Sequence, residues 1–164
     1  MLKKYKYLDK RIIKTKRLLK NSFIQLLQEE KLEDISITSI VERSGISRVT
    51  FYNHYNNKEN LLNEIIDDVK MDFVNAFKES YQTYNNFSIK DVKTTSLRVF
   101  DHVYHNAAFY KAIVHSDLLT FFSSQLTLAV KELGETDFRV LDSKVNHDLF
   151  TSYIAYAIPG LIIE

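Results

Sequence analysis

The residues best suited to chemistry lie in one segment, SITSIVERSGISRVTFYNHYNNK, over residues 36–58. Arg48, Thr50, Tyr52, Asn53, His54 and Lys58 bring a guanidinium, hydroxyls, an amide, an imidazole and an ammonium into one short stretch. Such groups suit double-stranded DNA. Arg grips guanine through two hydrogen bonds, Asn does the same for adenine, and Thr meets a base edge or a thymine methyl. Tyr52, His54 and Lys58 can hold phosphates, which fix register without reading sequence. Enzyme chemistry fits poorly, because the chain holds no GxSxG, P-loop, GxGxxG or HExxH pattern. With no Cys, disulfides, cysteine nucleophiles and thiolate metal sites are excluded together.

Two short helices must position these groups. Ser36 is a good N-cap for the first, whose apolar residues are Ile37, Ile40 and Val41. Gly45 ends it, because the tight turn favours a residue free to adopt positive φ. Ser47 caps the second, of about Arg48 to His54. Val49 to Phe51 is helix-weak, so tertiary packing must hold this helix. Ile46 plugs the turn, and Val49 or Thr50, with Phe51 and Tyr55, points inward. Arg48, Thr50, Tyr52, Asn53 and His54 are left largely outward. Two helices joined by a Gly turn make a helix-turn-helix unit. Ser36 and Ser47 stand at helix N-termini, where amides and dipole favour a phosphate.

The rest of the chain reads as helix. Only three Gly and one Pro occur in 164 residues, too few for a turn-rich sandwich or barrel. A first helix is expected over about Asp9–Glu30, with Ile12, Leu19, Phe23, Leu26 and Leu27 as its apolar stripe. After a turn at Asn56-Asn57, a fourth helix runs from Lys58 to about Tyr84 and breaks at Asn85-Asn86. A fifth, capped by Ser88, runs to Asn106, and a sixth covers Ala107–Val114. A seventh opens at Ser116 or Asp117 and ends near Leu133. Gly134–Asp142 reads as a loop, and a last helix covers about Lys144–Ile158. Two domains are expected, over residues 1–57 and 58–164.

The net charge of +1 hides an asymmetry. Residues 1–58 carry 13 Lys and Arg against 6 Asp and Glu, whereas residues 59–164 carry 9 against 15. A basic head on an acidic body suits a polyanionic partner. The basic start lacks the apolar stretch of a signal peptide, and the longest near-apolar run, Tyr153–Ile163, is shorter than the about 20 residues that span a bilayer. No membrane association and a cytoplasmic location are therefore expected.

The stretch SITSIVERSGISRVTFYNHYNNKENLL resembles the DNA-binding signature of the TetR family of bacterial transcriptional regulators. Ile40, Gly45, Ile46, Ser47, Thr50, Phe51, Tyr52, His54, Tyr55, Lys58, Leu61 and Leu62 carry the resemblance, which covers about residues 10–66. It implies an all-α homodimer, each subunit having a three-helix DNA-binding domain and a larger helical regulatory and dimerisation domain. It further implies a repressor reading a palindromic operator. Arg48, Val49, Thr50 and Asn53 then occupy base-facing positions, with Arg48 and Asn53 setting operator choice. Ser36, Thr38, Tyr52, His54 and Lys58 occupy backbone-facing ones. The alternative is a co-activator of the same fold that acts through protein contacts, with weak or no DNA binding.

The body is rich in aromatic residues. Phe100, Tyr104, Phe109 and Tyr153 are candidates to line an apolar pocket for a small-molecule effector, although aromatics also fill helical cores. His102, His105 and His115 raise a metal reading, but no firm ligand cluster accompanies them, and no metal or cofactor is expected. FDHVYHNAAFYKAIV resembles a subgroup that includes regulators of dihydroxyacetone kinase operons, one member of which is an activator. In that subgroup SYIAYAIPGLII is followed by a further helix, so the resemblance predicts one beyond Glu164.

Overall fold

The computed structural model describes residues 10–82, 98–137 and 146–163, and these are helical with no strand among them. The helices are α1 (Lys10–Glu29), α2 (Ile37–Ser44), α3 (Arg48–Tyr52), α4 (Lys58–Gln82), α5 (98–105), α6 (Ala107–Val114), α7 (Leu119–Asp137) and α8 (His147–Ile163). The all-α expectation is met. The chain divides into two compact units, residues 1–66 and 67–164.

In the first unit the expected α1 stripe becomes core: Leu19, Phe23, Leu26 and Leu27 are buried. They share that core with Ile35, Ile40, Phe51, Tyr55 and the Leu61, Leu62, Ile65 and Ile66 face of α4. Lys16 and Lys20 of α1 both reach Glu64 of α4, at 2.8 and 2.7 Å. Burial works to raise the Glu64 pKa, but the two lysine hydrogen bonds outweigh it and hold the carboxyl below its ordinary range. Arg43 at the end of α2 makes a two-pronged ion pair with Glu29 at 2.7 and 2.6 Å, tying α2 to the end of α1.

In the second unit Phe73, Phe77, Phe109, Tyr110, Ile113, Phe122, Leu126 and Val130 are buried. Phe109 and Phe122 meet edge to face with ring centroids 5.0 Å apart. His102 is buried among them. Its Nε2 lies 3.1 Å from the Tyr110 hydroxyl, and Asn106 Nδ2 approaches its Nδ1 at 3.3 Å. The Asn106 amide donates, so Nδ1 accepts and the proton sits on Nε2, directed at Tyr110. Burial lowers the His102 pKa and raises that of Tyr110, so both stay neutral near pH 7. His105 is exposed, with Nδ1 2.6 Å from the Asp101 carbonyl. Among the described residues no group of three or more His, Cys, Asp or Glu is placed to hold a metal ion.

Several boundaries differ from the sequence reading. α3 ends at Tyr52, two residues short of His54, with Asn53 as its C-cap. α7 continues through Gly134 to Asp137, where a loop was expected. A lone helical Gly costs only about 1 kcal/mol, which the buried Leu126, Ala129, Val130 and Leu133 stripe outweighs. α8 continues past Pro159 and Gly160 to Ile163 instead of stopping at Ile158. Pro159 removes one N–H from the ladder, but its fixed φ still suits a helix. α6 has its expected bounds. The expected helix start at Asp9, the helix end at Tyr84 with the Asn85-Asn86 break, the Ser88 cap, the tail of the Gly134–Asp142 loop and the Lys144 start lie outside the described residues. No helix among the described residues is long and apolar enough to cross a membrane.

Candidate nucleic-acid interface

Local capping builds the α2–turn–α3 unit. Ser36 Oγ accepts the Ser39 amide at 3.0 Å, while the Ser36 amide donates to Ser39 Oγ at 3.1 Å. This reciprocal box leaves α2 with fewer orphan donors. Ser39 stands where the return partner of such a box is usually Glu or Gln. At the other end Gly45 takes φ +67°, its amide donating to Glu42 O and that of Ile46 to Val41 O. These two bonds close the helix in a left-handed cap. Ser47 Oγ then accepts the Thr50 amide at 3.1 Å and opens α3. Asn57, read only as a turn residue, caps α4, its Oδ1 accepting the Asn60 amide at 2.8 Å.

Phe51 anchors α3: it is fully buried and meets the Tyr52 and Tyr55 rings at 5.6 and 5.7 Å. With Phe51 inward, Arg48, Val49, Tyr52 and Asn53 face outward. Val49 is 73% exposed, which resolves the Val49-or-Thr50 choice. Thr50 is the half-buried one, its hydroxyl 2.8 Å from that of Ser47. The Arg48 guanidinium lies 3.3 Å from Thr38 Oγ1 and 3.5 Å from the Tyr52 hydroxyl, and over the Tyr52 ring. Ser36, Thr38 and Ser47 are exposed and His54 is half-buried.

Lys58 is placed differently from its neighbours. Its Nζ donates to the carbonyls of Leu32 at 2.6 Å, Ile35 at 2.7 Å and Glu33 at 3.2 Å. An ammonium has three N–H donors, so all three are occupied within the protein. Sequence spacing gave no signal of this contact, because the partners are backbone atoms 23–26 positions away.

The four aromatic candidates for an effector pocket differ in burial. Phe109 is in the core, whereas Phe100, Tyr104 and Tyr153 are exposed. The second unit does have an open cleft of about 450 Å³, but Asp72, Asn75, Ala76, Arg98, Asp101, His102, His105 and Asn106 line it. Its lining is mainly polar.

Residues 24–65 match the family model described as bacterial regulatory proteins, tetR family. The chain carries a tetR-family helix-turn-helix domain. The uncharacterised HTH-type transcriptional regulator YxbF of Bacillus subtilis is 33% identical over 91 residues, covering 55% of this chain and 24% of YxbF. The HTH-type dhaKLM operon transcriptional activator DhaS of Lactococcus lactis is 29% identical over 104 residues, covering 63% of this chain and 51% of DhaS. The chain thus spans about half or less of the length of these two relatives. A solved structure described as the dihydroxyacetone kinase operon activator DhaS superposes with TM-score 0.62 at 24% identity, over 92% of this chain and 83% of that one. A TetR transcriptional regulator from Streptococcus agalactiae gives 0.59 at 24%, over 94% and 84%. At this identity the two structures establish a shared fold. The tetR-type domain and its relatives are those of transcriptional regulators, not enzymes.

Proposed function

We propose that this protein is a sequence-specific transcriptional regulator that binds a palindromic operator as a homodimer, with α3 in the major groove. The outward face of α3 and its cap carries this reading: Arg48 and Val49, with Asn53 at the C-cap, stand exposed beside a fully buried Phe51. Arg48 and Asn53 read bases, while Val49 and Thr50 meet base edges or thymine methyls. Ser36, Thr38, Ser47, Tyr52 and His54 face the DNA backbone on either side. Two recognition helices spaced by about one helical turn of DNA match a palindrome. A DNA partner supports a cytoplasmic location.

The second unit supplies the dimer contact and the place for any small-molecule response. α8 exposes Leu149, Tyr153 and Tyr156, and α7 exposes Phe121 and Leu128. Repression follows where the operator overlaps a promoter, because the bound dimer excludes polymerase. Activation is a second reading, favoured by the likeness to DhaS, which is named an operon activator.

Titration of DNA from the gene's own upstream region tests the proposal. Binding to the operator should exceed non-specific binding by about 10³ or more at physiological salt. Arg48→Ala should cost about 1–3 kcal/mol on the operator and relax preference at one base pair. Binding without sequence preference at any salt sinks the proposal in favour of a co-activator acting through protein contacts. A reporter fused to that region, with and without the protein, reads the sign of regulation.

A further inference from the structure

Lys58 stands at the first position of α4, where a cation opposes the helix dipole. Something must offset that cost, and the carbonyl cage of Leu32, Glu33 and Ile35 does so. We propose that Lys58 is an internal strut which positions the DNA-reading helices, not a residue that clamps phosphate. The inference rests on the DNA-binding reading above and changes the role of one of its residues.

The geometry gives the strut its consequence. Leu32, Glu33 and Ile35 form the connection that leads from α1 into Ser36, the N-cap of α2. Beside Lys58, Asn57 caps the start of α4. The ammonium therefore ties the entry of α2 to the start of α4, the two ends of the segment that contains the helix-turn-helix. Moving Nζ to a phosphate would strip three carbonyls of their donor, two of those bonds being partly shielded from water. Charge-assisted bonds of 2.6–2.7 Å are among the stronger kind. Lys16 and Lys20 on Glu64 brace the same stretch of α4 from α1, so the strut acts on an already fixed helix.

The test separates a strut from a clamp by salt dependence. Each phosphate contact contributes about 0.9 to the slope of log affinity against log salt. Lys58→Met and Lys58→Arg are compared with the wild type on operator and non-specific DNA, well below their unfolding temperatures. A strut predicts that both variants lose about tenfold or more on the operator. Non-specific affinity and salt slope should stay as in the wild type. Arg does not rescue, because its longer, planar fork aims its donors differently from a compact ammonium set among three convergent carbonyls. A slope shallower by about one unit, rescue by Arg, or wild-type operator binding by Lys58→Met each overturns the strut. Should Lys58→Met fail to fold, the wild-type protein decides. Its Lys58 ammonium protons should exchange slowly and keep their coupling to backbone carbonyl carbons with DNA bound. Coupling to phosphate phosphorus overturns the proposal. Absence of specific binding by the wild type removes the DNA-reading proposal and the strut with it. A changed slope with intact wild-type specificity removes the strut alone.

Discussion

Arg48 is held in place by its own neighbours. Thr38 Oγ1 and the Tyr52 hydroxyl and ring hold its guanidinium beside α3. Such contacts reduce the rotamer entropy an arginine loses on binding. His102 shows the opposite situation, a titratable group kept neutral. Burial depresses its native pKa below the ordinary value of 6.5. The unfolded chain therefore binds more protons than the native state once the pH falls through about 6.5. The stability this group confers is full above that value and declines as the pH drops below it. Thermal melts between pH 8 and 5 should show the midpoint falling on the acid side. His102→Gln, whose amide can still reach Tyr110, should flatten that fall. An identical acid limb in the variant would remove His102 as its source.

At the scale of elements, short helices gain definition from their ends. α3 has only five residues, too few to be stable alone, and rests on the Ser47 cap and the buried Phe51. α2 leans equally on its serine box and on Gly45. Space is no obstacle at Gly45, since a Cβ there meets nothing within 4 Å. Conformation is the obstacle, because φ +67° is left-handed. Gly45→Ala should cost about 1–2 kcal/mol in chemical denaturation. It should also weaken operator binding, since the turn sets the angle between α2 and α3. A variant as stable as the wild type would mean that the turn can relax to negative φ.

For the whole molecule, one exposed stripe stands out. Leu149, Tyr153 and Tyr156 recur on α8 at spacings of four and three and are each more than 60% exposed. α7 and α8 pack together, and on α8 Thr151 and Ala155 are buried while that stripe is left outward. Apolar residues grouped on one helix face mark an interaction surface more often than scattered ones do. With a homodimer, Leu149→Glu buries an unpaired charge in each copy of the contact and should raise the dimer dissociation constant at least about tenfold. Sedimentation velocity over a concentration series reads this directly, and operator affinity should fall in parallel. A wild type that stays monomeric at high concentration, or a variant that dimerises equally well, would refute this use of the α8 face.

Much of this was legible without coordinates, for one reason: it is local. Helical class follows from few turn residues and from three- and four-residue spacing. The α2–α3 unit follows from Ser36, Gly45 and Ser47, whose capping partners lie within four positions. Non-local facts were not legible. Whether Val49 or Thr50 faces outward depends on how Phe51 seats in a core shared with α1 and α4. Whether Gly134 stops a helix depends on the buried Leu126, Ala129, Val130 and Leu133 stripe of α7, which outweighs local propensity. The partners of Lys58 are carbonyls more than twenty residues away, and backbone carbonyls carry no signature in a sequence. Residue types and spacing thus specified a helix-turn-helix with a polar recognition face. Only tertiary packing decided which side chains of that face stay free and which are spent holding it in place.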